Sequence, residues 1–346
     1  MNIDNTAPFW SELHHPLVRN LAWCVFSPSL VAPSPWRGAT DAIGDAEDCL
    51  FQIDQSGCSM EDWAWLRQLD AAPESLQQWM SSCHSSRLGF QFEHYWQFWW
   101  QHRHPEREYR FNSQLIENGQ TLGELDALSW QPDKAQLTHT ELAVKFYLGV
   151  NTLSLPEDFR PPQAVCWVGP TVVDRLDLKW RQLHQRQLQH LRQPQRLQSI
   201  TPALPSHWHT HHLHTQLIMR GRLFYPVGAK ASWNQTSYVN ERCQTGVWLT
   251  LSQFLNLKES DLNNFGLQQP LQQTLWMILR RDQWFAPQPY CDATCVDHLR
   301  TAQALTDFFA RHRQPQQLAV FSHEEAAALT WHECQRVFVV PDGWPS

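Results

Sequence analysis

The sequence lacks several features that would place it at once in a familiar class. No run approaches the ~18 uninterrupted apolar residues of a membrane helix, and residues 1–5 have neither the basic nor the apolar segment of a secretory signal. We therefore expect no membrane span and a cytoplasmic location. The net charge is −7, whereas a protein that coats nucleic acid is usually basic. Any contact with nucleic acid must therefore come from a local basic cluster.

Motifs of several enzyme classes are also missing. The sequence has no glycine-rich loop that would cradle a phosphate and no Gly-x-Ser-x-Gly nucleophile elbow. The nine cysteines are dispersed, and Cys291 and Cys295 do not have a typical zinc spacing, so reduced thiols are the simplest interpretation.

A dense histidine cluster has no interleaved carboxylate or cysteine to complete a zinc set. We interpret it as part of a flexible linker with weak metal affinity, and a true metal site is the alternative. The cluster consists of His207, His209, His211, His212 and His214.

Apolar residues make up 42% of the 346 residues and aromatic residues 12%, which is enough to build a core. At roughly 100–200 residues per domain, this length fits two domains or one domain with a large extension. The pattern predicts an N-terminal helical region at 1–83, a core at 84–195, a linker rich in His and Pro at 196–215, and a C-terminal α/β extension at 216–346.

The predicted core mixes helical and strand-like patterns. Apolar residues recur at helical spacing along 88–100, and a second helix is predicted over 171–192. Strand-like runs occupy 109–116, 121–130, 137–148 and 163–169. This order predicts an α/β fold with a mixed sheet flanked by helices. In the extension, strands are predicted at 216–225, 246–251, 275–279, 318–321 and 337–340.

Two of the predicted strands carry carboxylates inside apolar runs. A four-residue turn at 132–135 would place Asp126 directly opposite Glu141, with Cβ atoms roughly 4.5–5.5 Å apart. Carboxylates this close repel each other unless one is protonated or a cation lies between them, and Mg²⁺ or Mn²⁺ prefers such oxygen ligands. The alternative is an ordinary solvated sheet face, but the apolar flanks favour a buried sheet.

The stretch Gly123-Glu124-Leu125-Asp126, followed by a turn and then by Glu141 and Lys145, resembles the motif of the PD-(D/E)XK nuclease superfamily. The upstream helix with Glu93 and the downstream strand and helix are similar to that superfamily as well. The whole chain also resembles an uncharacterised bacterial family with this predicted core. The features that carry this second resemblance lie at 88–93, 143–149, 221–226 and 340–345.

The resemblance implies a restriction-endonuclease-like fold and a metal-dependent phosphodiesterase acting on DNA or RNA. Asp126 would be the central ligand of Mg²⁺ or Mn²⁺, and Glu141 the second, with the Leu142 carbonyl a possible third. Glu93 would reach the ion directly or through water. Lys145 would stabilise charge developing on the phosphate or orient the attacking water.

The lysine position departs from the superfamily pattern. The usual Glu-x-Lys spacing would place lysine at position 143, where this chain has Ala143. Lys145 lies on the same face but ~6.6 Å further along the strand, and it could instead pair with Glu124. The displaced lysine and the acidic net charge favour an alternative, a catalytically degenerate nuclease fold that acts as a nucleic-acid- or protein-binding module.

Residues 175–200 are strongly basic, with Asp177 as their one acid. If this segment is helical, several of its cations share a face and would bind a phosphate backbone without sequence preference. An ordinary solvated helix face is the alternative, and Asp174, Asp177 and Gln182 could instead approach the carboxylates. The predicted nucleic-acid contacts are Arg175, Lys179, Arg181 and Arg186.

Overall fold

The computed structural model describes residues 9–32, 51–53, 57–117, 120–182, 204–205, 207–208, 213–229, 238–265, 267, 270–288, 291–322 and 331–345. Within these residues, ten strands form a single mixed sheet, and helices pack on both of its faces. The predicted α/β class, with a mixed sheet flanked by helices, is confirmed.

The elements follow one another in a mixed order. The helices are α1 (Pro16–Phe26), α2 (Met60–Ala71), α3 (Glu74–Ser81), α4 (Leu88–Arg103), α5 (Leu176–Gln182), α6 (Leu251–Leu255), α7 (Leu262–Phe265) and α8 (His298–Phe309). The strands are β1 (Phe51–Ile53), β2 (Glu108–Glu117), β3 (Gln120–Gln131), β4 (Gln136–Asn151), β5 (Val165–Val168), β6 (Leu213–Pro226), β7 (Gln244–Thr250), β8 (Thr274–Ile278), β9 (Gln316–Ser322) and β10 (His332–Val340).

The centre of the sheet is parallel and its two ends are antiparallel. The strand order is β2-β3-β4-β6-β7-β10-β9-β8, with β1 also pairing to β6 and β5 to β4. Strands β4, β6, β7 and β10 run parallel to one another. The antiparallel pairs are β2–β3 and β3–β4 on one side and β10–β9 and β9–β8 on the other.

Helices α1 and α4 cover one face of the sheet. The apolar residues of α4, including Phe92, Tyr95 and Trp99, recur every three or four positions and form one buried stripe. This stripe packs with Leu142 and Phe146 of β4. Because side chains alternate along a strand, the neighbouring positions of β4 face the opposite layer.

The opposite face of the sheet is covered by two groups of helices. Helix α5 packs through Leu176 and Trp180 against Ala143 and Tyr147 of β4. Further along the sheet, α6, α7 and α8 pack on β7, β8, β9 and β10. Both faces of β4 are therefore buried, as the apolar flanks of Asp126 and Glu141 predicted.

The predicted segments are observed with shifted bounds. The helix predicted over 171–192 begins at Leu176 and is described as far as Gln182, and the predicted helical region 1–83 also contains the short strand β1. Strand β6 begins inside the predicted linker 196–215, and its parallel pairing with β4 joins the regions 84–195 and 216–346 in one sheet. The proposed domain boundaries themselves stay a prediction.

None of the helices in the described part of the chain combines the length and the apolar character needed to cross a bilayer.

Candidate functional site

The β3–β4 hairpin brings Asp126 and Glu141 to adjacent positions. A short 3₁₀ turn at Pro132–Lys134 and a left-handed Ala135, with φ of 46°, reverse the chain. The strands then pair Leu128 with His139 and Ala127 with Thr140. The predicted hairpin register is confirmed for these pairs, and the ladder ends at Ala127 and Thr140, the neighbours of Asp126 and Glu141.

Asp126 is a half-buried carboxylate with one backbone hydrogen bond. The Leu142 N–H donates to its Oδ2 at 2.7 Å. Burial raises the pKa of Asp126 to about 8, and the neighbouring charge of Glu141 acts in the same direction. The Leu142 hydrogen bond and the cation of Lys179 oppose this rise in pKa. The two carboxylates are thus close enough to interact, and burial strengthens their repulsion.

Glu141 is almost fully buried, with 1% of its surface exposed, and lies beside His139, which has 0% exposed. Glu141 Oε1 and His139 Nε2 are 2.9 Å apart. Their relative orientation is not that of a hydrogen bond, and neither Oε1 nor either ring nitrogen finds a hydrogen-bond partner among the described residues. Buried polar atoms without a partner are costly. Glu141 Oε1 therefore makes a close contact with the His139 ring but no hydrogen bond.

His139 was not among the sequence-predicted site residues. It occupies the same strand face as Glu141, two positions earlier, and the residue opposite it on β3 is Leu128. The sequence signal that could have found it is a histidine on the same strand face as Glu141, within an otherwise apolar strand.

Glu93 approaches the site from α4 through Asn112. The Asn112 side-chain amide donates to Glu93 Oε2 at 3.3 Å and to Glu124 Oε1 at 3.0 Å. Asn112 has a φ of 49°, which is uncommon for a non-glycine residue but more frequent for Asn. Burial raises the pKa of Glu93, and the charges of Glu124 and Glu141 add to this effect. Glu93 therefore lies within electrostatic reach of the pair.

Lys145 is held in an ion pair, the alternative role that the sequence suggested, but its partner is Asp174. Its Nζ lies 2.6 Å from Asp174 Oδ2, and the Tyr147 hydroxyl donates to the same oxygen at 3.2 Å. The suggested pairing with Glu124 is not observed, and Glu124 accepts a hydrogen bond from Asn112 instead. Asp174 lies in the loop before α5. Burial and the adjacent Asp174 raise the pKa of Tyr147 well above its usual range.

Lys179 is the second lysine near the carboxylates. It extends from α5, which packs on the β4 face that carries Glu141 and Lys145. Burial lowers the pKa of Lys179 and the charge of Lys145 lowers it further, whereas Glu141, Asp126 and Asp174 oppose this shift. Lys179 therefore belongs to the same electrostatic cluster as the carboxylate pair, and its predicted contact with a phosphate backbone stays a prediction.

The other predicted basic contacts differ from one another. Arg175 precedes α5 and is 6% exposed, with its guanidinium donating to both carboxylate oxygens of Asp177 at 2.7 and 2.8 Å and to the Phe159 carbonyl. Its position gives no support to a phosphate contact. Arg181 remains exposed, 3.9 Å from Asp177, and Arg186 lies outside the described residues.

The histidine cluster is only partly described. His207 Nε2 lies 2.8 Å from Glu108 Oε2, and the Trp208 indole donates to the same oxygen at 2.9 Å. His214 is exposed at the start of β6. The remaining members, His209, His211 and His212, lie outside the described residues.

Across the described ranges, no set of three or more His, Cys, Asp and Glu side chains is arranged to hold a metal ion. The pair Asp126 and Glu141 therefore supplies two carboxylates, and any further ligand would be a backbone carbonyl, water or a side chain that moves.

The fold and the site define an α/β protein with a buried carboxylate pair in the hairpin at one side of its sheet. The profile of a family described as "Domain of unknown function (DUF1853)" matches residues 19–340. The match covers most of the chain, so the protein belongs to this family, in agreement with the expected membership of an uncharacterised family. The family match gives no evidence for membership of the PD-(D/E)XK superfamily. No curated protein and no solved structure matches the chain.

Proposed function

We propose that this protein is a metal-dependent phosphodiesterase that acts on DNA or RNA. The observation that carries the proposal is the pair of half-buried Asp126 and buried Glu141 on adjacent strands. Glu141 Oε1 lies 2.9 Å from His139 Nε2 but makes no hydrogen bond to any described residue. Buried carboxylates of this kind need a cation or a proton to coexist. The resemblance to PD-(D/E)XK nucleases supports the choice of a cation.

Asp126 and Glu141 would hold the ion, with the Leu142 carbonyl as a third oxygen and Glu93 nearby. Carboxylate and carbonyl oxygens suit Mg²⁺ or Mn²⁺. When bound, such an ion lowers the pKa of a coordinated water and polarises a phosphate oxygen. The protein's own contribution is to fix the two carboxylates on a rigid sheet and to exclude water from Glu141.

Lys179 is the better placed of the two lysines to act on a phosphate. Its charge interacts with Asp126 and Glu141, whereas Lys145 is engaged by Asp174. A cation beside the carboxylates would stabilise the negative charge that develops on the phosphate during hydrolysis. Lys179 would thus take the charge-stabilising role that the superfamily pattern gives to a lysine at position 143. Arg181, exposed on the same helix, would contact the flanking backbone.

Cleavage assays test this proposal. The purified protein is incubated with single- and double-stranded DNA and RNA in Mg²⁺ or Mn²⁺ and, as a control, in chelator. Cation-dependent cleavage is expected, with a loss of about 100-fold or more in Asp126→Asn and Lys179→Met. Asp133→Asn, in the exposed turn of the same hairpin, is the matched control. Absence of cleavage of all four substrates, or full activity in Asp126→Asn, would contradict the proposal.

A second candidate is a non-catalytic binding module on the same fold. The ion pair of Lys145 with Asp174 and the absence of a three-ligand set among the described residues favour it. In that case the protein binds a labelled oligonucleotide at low salt without cleaving it, and binding weakens as salt is added. If the protein neither cleaves nor binds the oligonucleotide, a protein partner is the remaining candidate.

A further inference from the structure

A cavity of about 720 Å³ opens at the carboxyl ends of the parallel strands. Val150 near the end of β4, Pro226 at the end of β6, Trp248 on β7 and Trp344 beyond β10 line it. Crevices outside the carboxyl ends of strands are the usual ligand sites of open α/β sheets. Glu141 lies nine positions before Val150 on β4, roughly 30 Å away along the strand. The cavity is therefore separate from the carboxylate pair.

Two tryptophans line this cavity. The Trp248 indole N–H donates to the Gly149 carbonyl at 2.8 Å, and the Trp344 indole N–H donates to the Pro170 carbonyl at 2.9 Å. The rings meet edge to face, with centroids 5.1 Å apart and planes at 72°. Because both N–H groups are already bonded, the indoles offer mainly π surface, which suits a flat aromatic ligand.

Arg160 gives the cavity its charge. Its Nε donates to the Leu155 carbonyl at 2.8 Å and its Nη2 to the Leu153 carbonyl at 3.2 Å, which fixes the guanidinium at the rim. Nη1 makes no hydrogen bond to any described residue, so its donors remain for a ligand. Among the described residues, Arg160 is the one charged side chain that lines the cavity, and none of the lining residues is a carboxylate. The lining therefore favours an anion over a cation.

We propose that this cavity binds a nucleotide, with its base stacked on Trp344 beside Trp248 and its phosphate on Arg160. The ligand is a free mononucleotide or the terminal nucleotide of a strand, since both combine a flat ring with a phosphate. This site lies outside the carboxylate pair and does not depend on the phosphodiesterase proposal.

Calorimetry with the full chain tests the ligand class. The probes are AMP, GMP, CMP and UMP, with ribose 5-phosphate and adenosine as probes that lack the base or the phosphate. At least one mononucleotide is expected to bind, and the two fragments to bind about tenfold more weakly or worse. Absence of binding of all four mononucleotides at millimolar concentration overturns the proposal. Equal binding of ribose 5-phosphate overturns the stacking role, and equal binding of adenosine overturns the role of Arg160.

Variants locate the binding. Trp344→Ala and Arg160→Gln should each lower the affinity about tenfold or more, while Trp344→Phe keeps a ring and most of the affinity. Arg313→Gln, which changes an exposed arginine elsewhere, should leave nucleotide binding unchanged. Unchanged affinity in Trp344→Ala overturns the site even if nucleotides bind. Competition by a 5′-phosphorylated oligonucleotide identifies a strand end as the ligand, and failure to compete identifies the free nucleotide.

Discussion

The close approach of β6 to β4 at Gly221 allows a direct test of the sheet's geometry. Gly221 pairs with Lys145 and has a φ of 156°, in a region that essentially only glycine adopts. A Cβ at this position would lie 1.8 Å from the Lys145 carbonyl oxygen and 2.8 Å from its carbonyl carbon. Both are backbone atoms of a paired strand, so no side-chain rotation relieves the overlap.

Gly221→Ala should therefore destabilise the protein strongly. The unfavourable backbone conformation costs about 1–3 kcal/mol, and the overpacking adds about 1–3 kcal/mol or more. A loss of about 3–5 kcal/mol in the free energy of unfolding is expected. Urea denaturation followed by tryptophan fluorescence measures it, with Gly123→Ala on β3 as the control, because a Cβ at Gly123 meets nothing within 4 Å. A loss below about 1 kcal/mol in Gly221→Ala would refute the close approach of β6 to β4 at this position.

Three further changes test other parts of the molecule. Asp62→Asn removes the capping box of α2 and the 2.8 Å ion pair with Arg103 and should cost about 1–3 kcal/mol at pH 7. The folded state lowers the pKa of Asp62 from 3.8, so this stabilisation is lost as the pH falls below that value. The denaturation curves of the wild type and Asp62→Asn should therefore converge at low pH. Glu333→Gln leaves the buried guanidinium of Arg336 without its carboxylate and should cost about 3–5 kcal/mol in urea denaturation; a cost near zero would mean that carbonyl acceptors suffice. Saturating Mn²⁺ should stabilise the wild type by about 2.7 kcal/mol at 100 times its Kd, measured by calorimetry, and equal stabilisation of Asp126→Asn would contradict the assigned ligands.

The hairpin register was predictable because it depends on local information. A turn of four residues and the alternation of side chains suffice to pair Ala127 with Thr140, the neighbours of Asp126 and Glu141. The buried character of both strand faces followed from the apolar residues on either side of each carboxylate. These are the parts of the site in which sequence neighbours are also spatial neighbours.

The partners of the basic residues were not predictable, because they depend on which loops lie beside them in the folded chain. Lys145 pairs with Asp174, which is 29 residues away and lies in a loop before α5. Arg175 was assigned to an exposed helical stripe, but the helix starts one residue later and Asp177 holds the guanidinium. The insertion of β10 between β7 and β9 likewise depends on long-range packing that periodicity does not encode.

Both candidate functions need nucleic acid to pass over the sheet face that carries Lys145 and Lys179. Asp174→Asn removes the carboxylate that holds Lys145 Nζ at 2.6 Å and adds one net positive charge to the face that carries Glu141. If bound nucleic acid passes over this face, the released lysine gains a phosphate contact. Affinity at low salt should then increase, and the slope of log affinity against log salt should steepen by about 1.

Fluorescence anisotropy with a labelled oligonucleotide measures both quantities, and Asp133→Asn makes the same charge change at the distant turn. A steeper slope in Asp174→Asn alone places the phosphate path across β4 and α5, where Lys179 and the carboxylate pair also lie. Equal slopes in the two variants would mean that nucleic acid does not cross this face. Neither hydrolysis at Asp126 and Glu141 nor binding through Lys179 could then be maintained, because both need the phosphate within reach of these side chains.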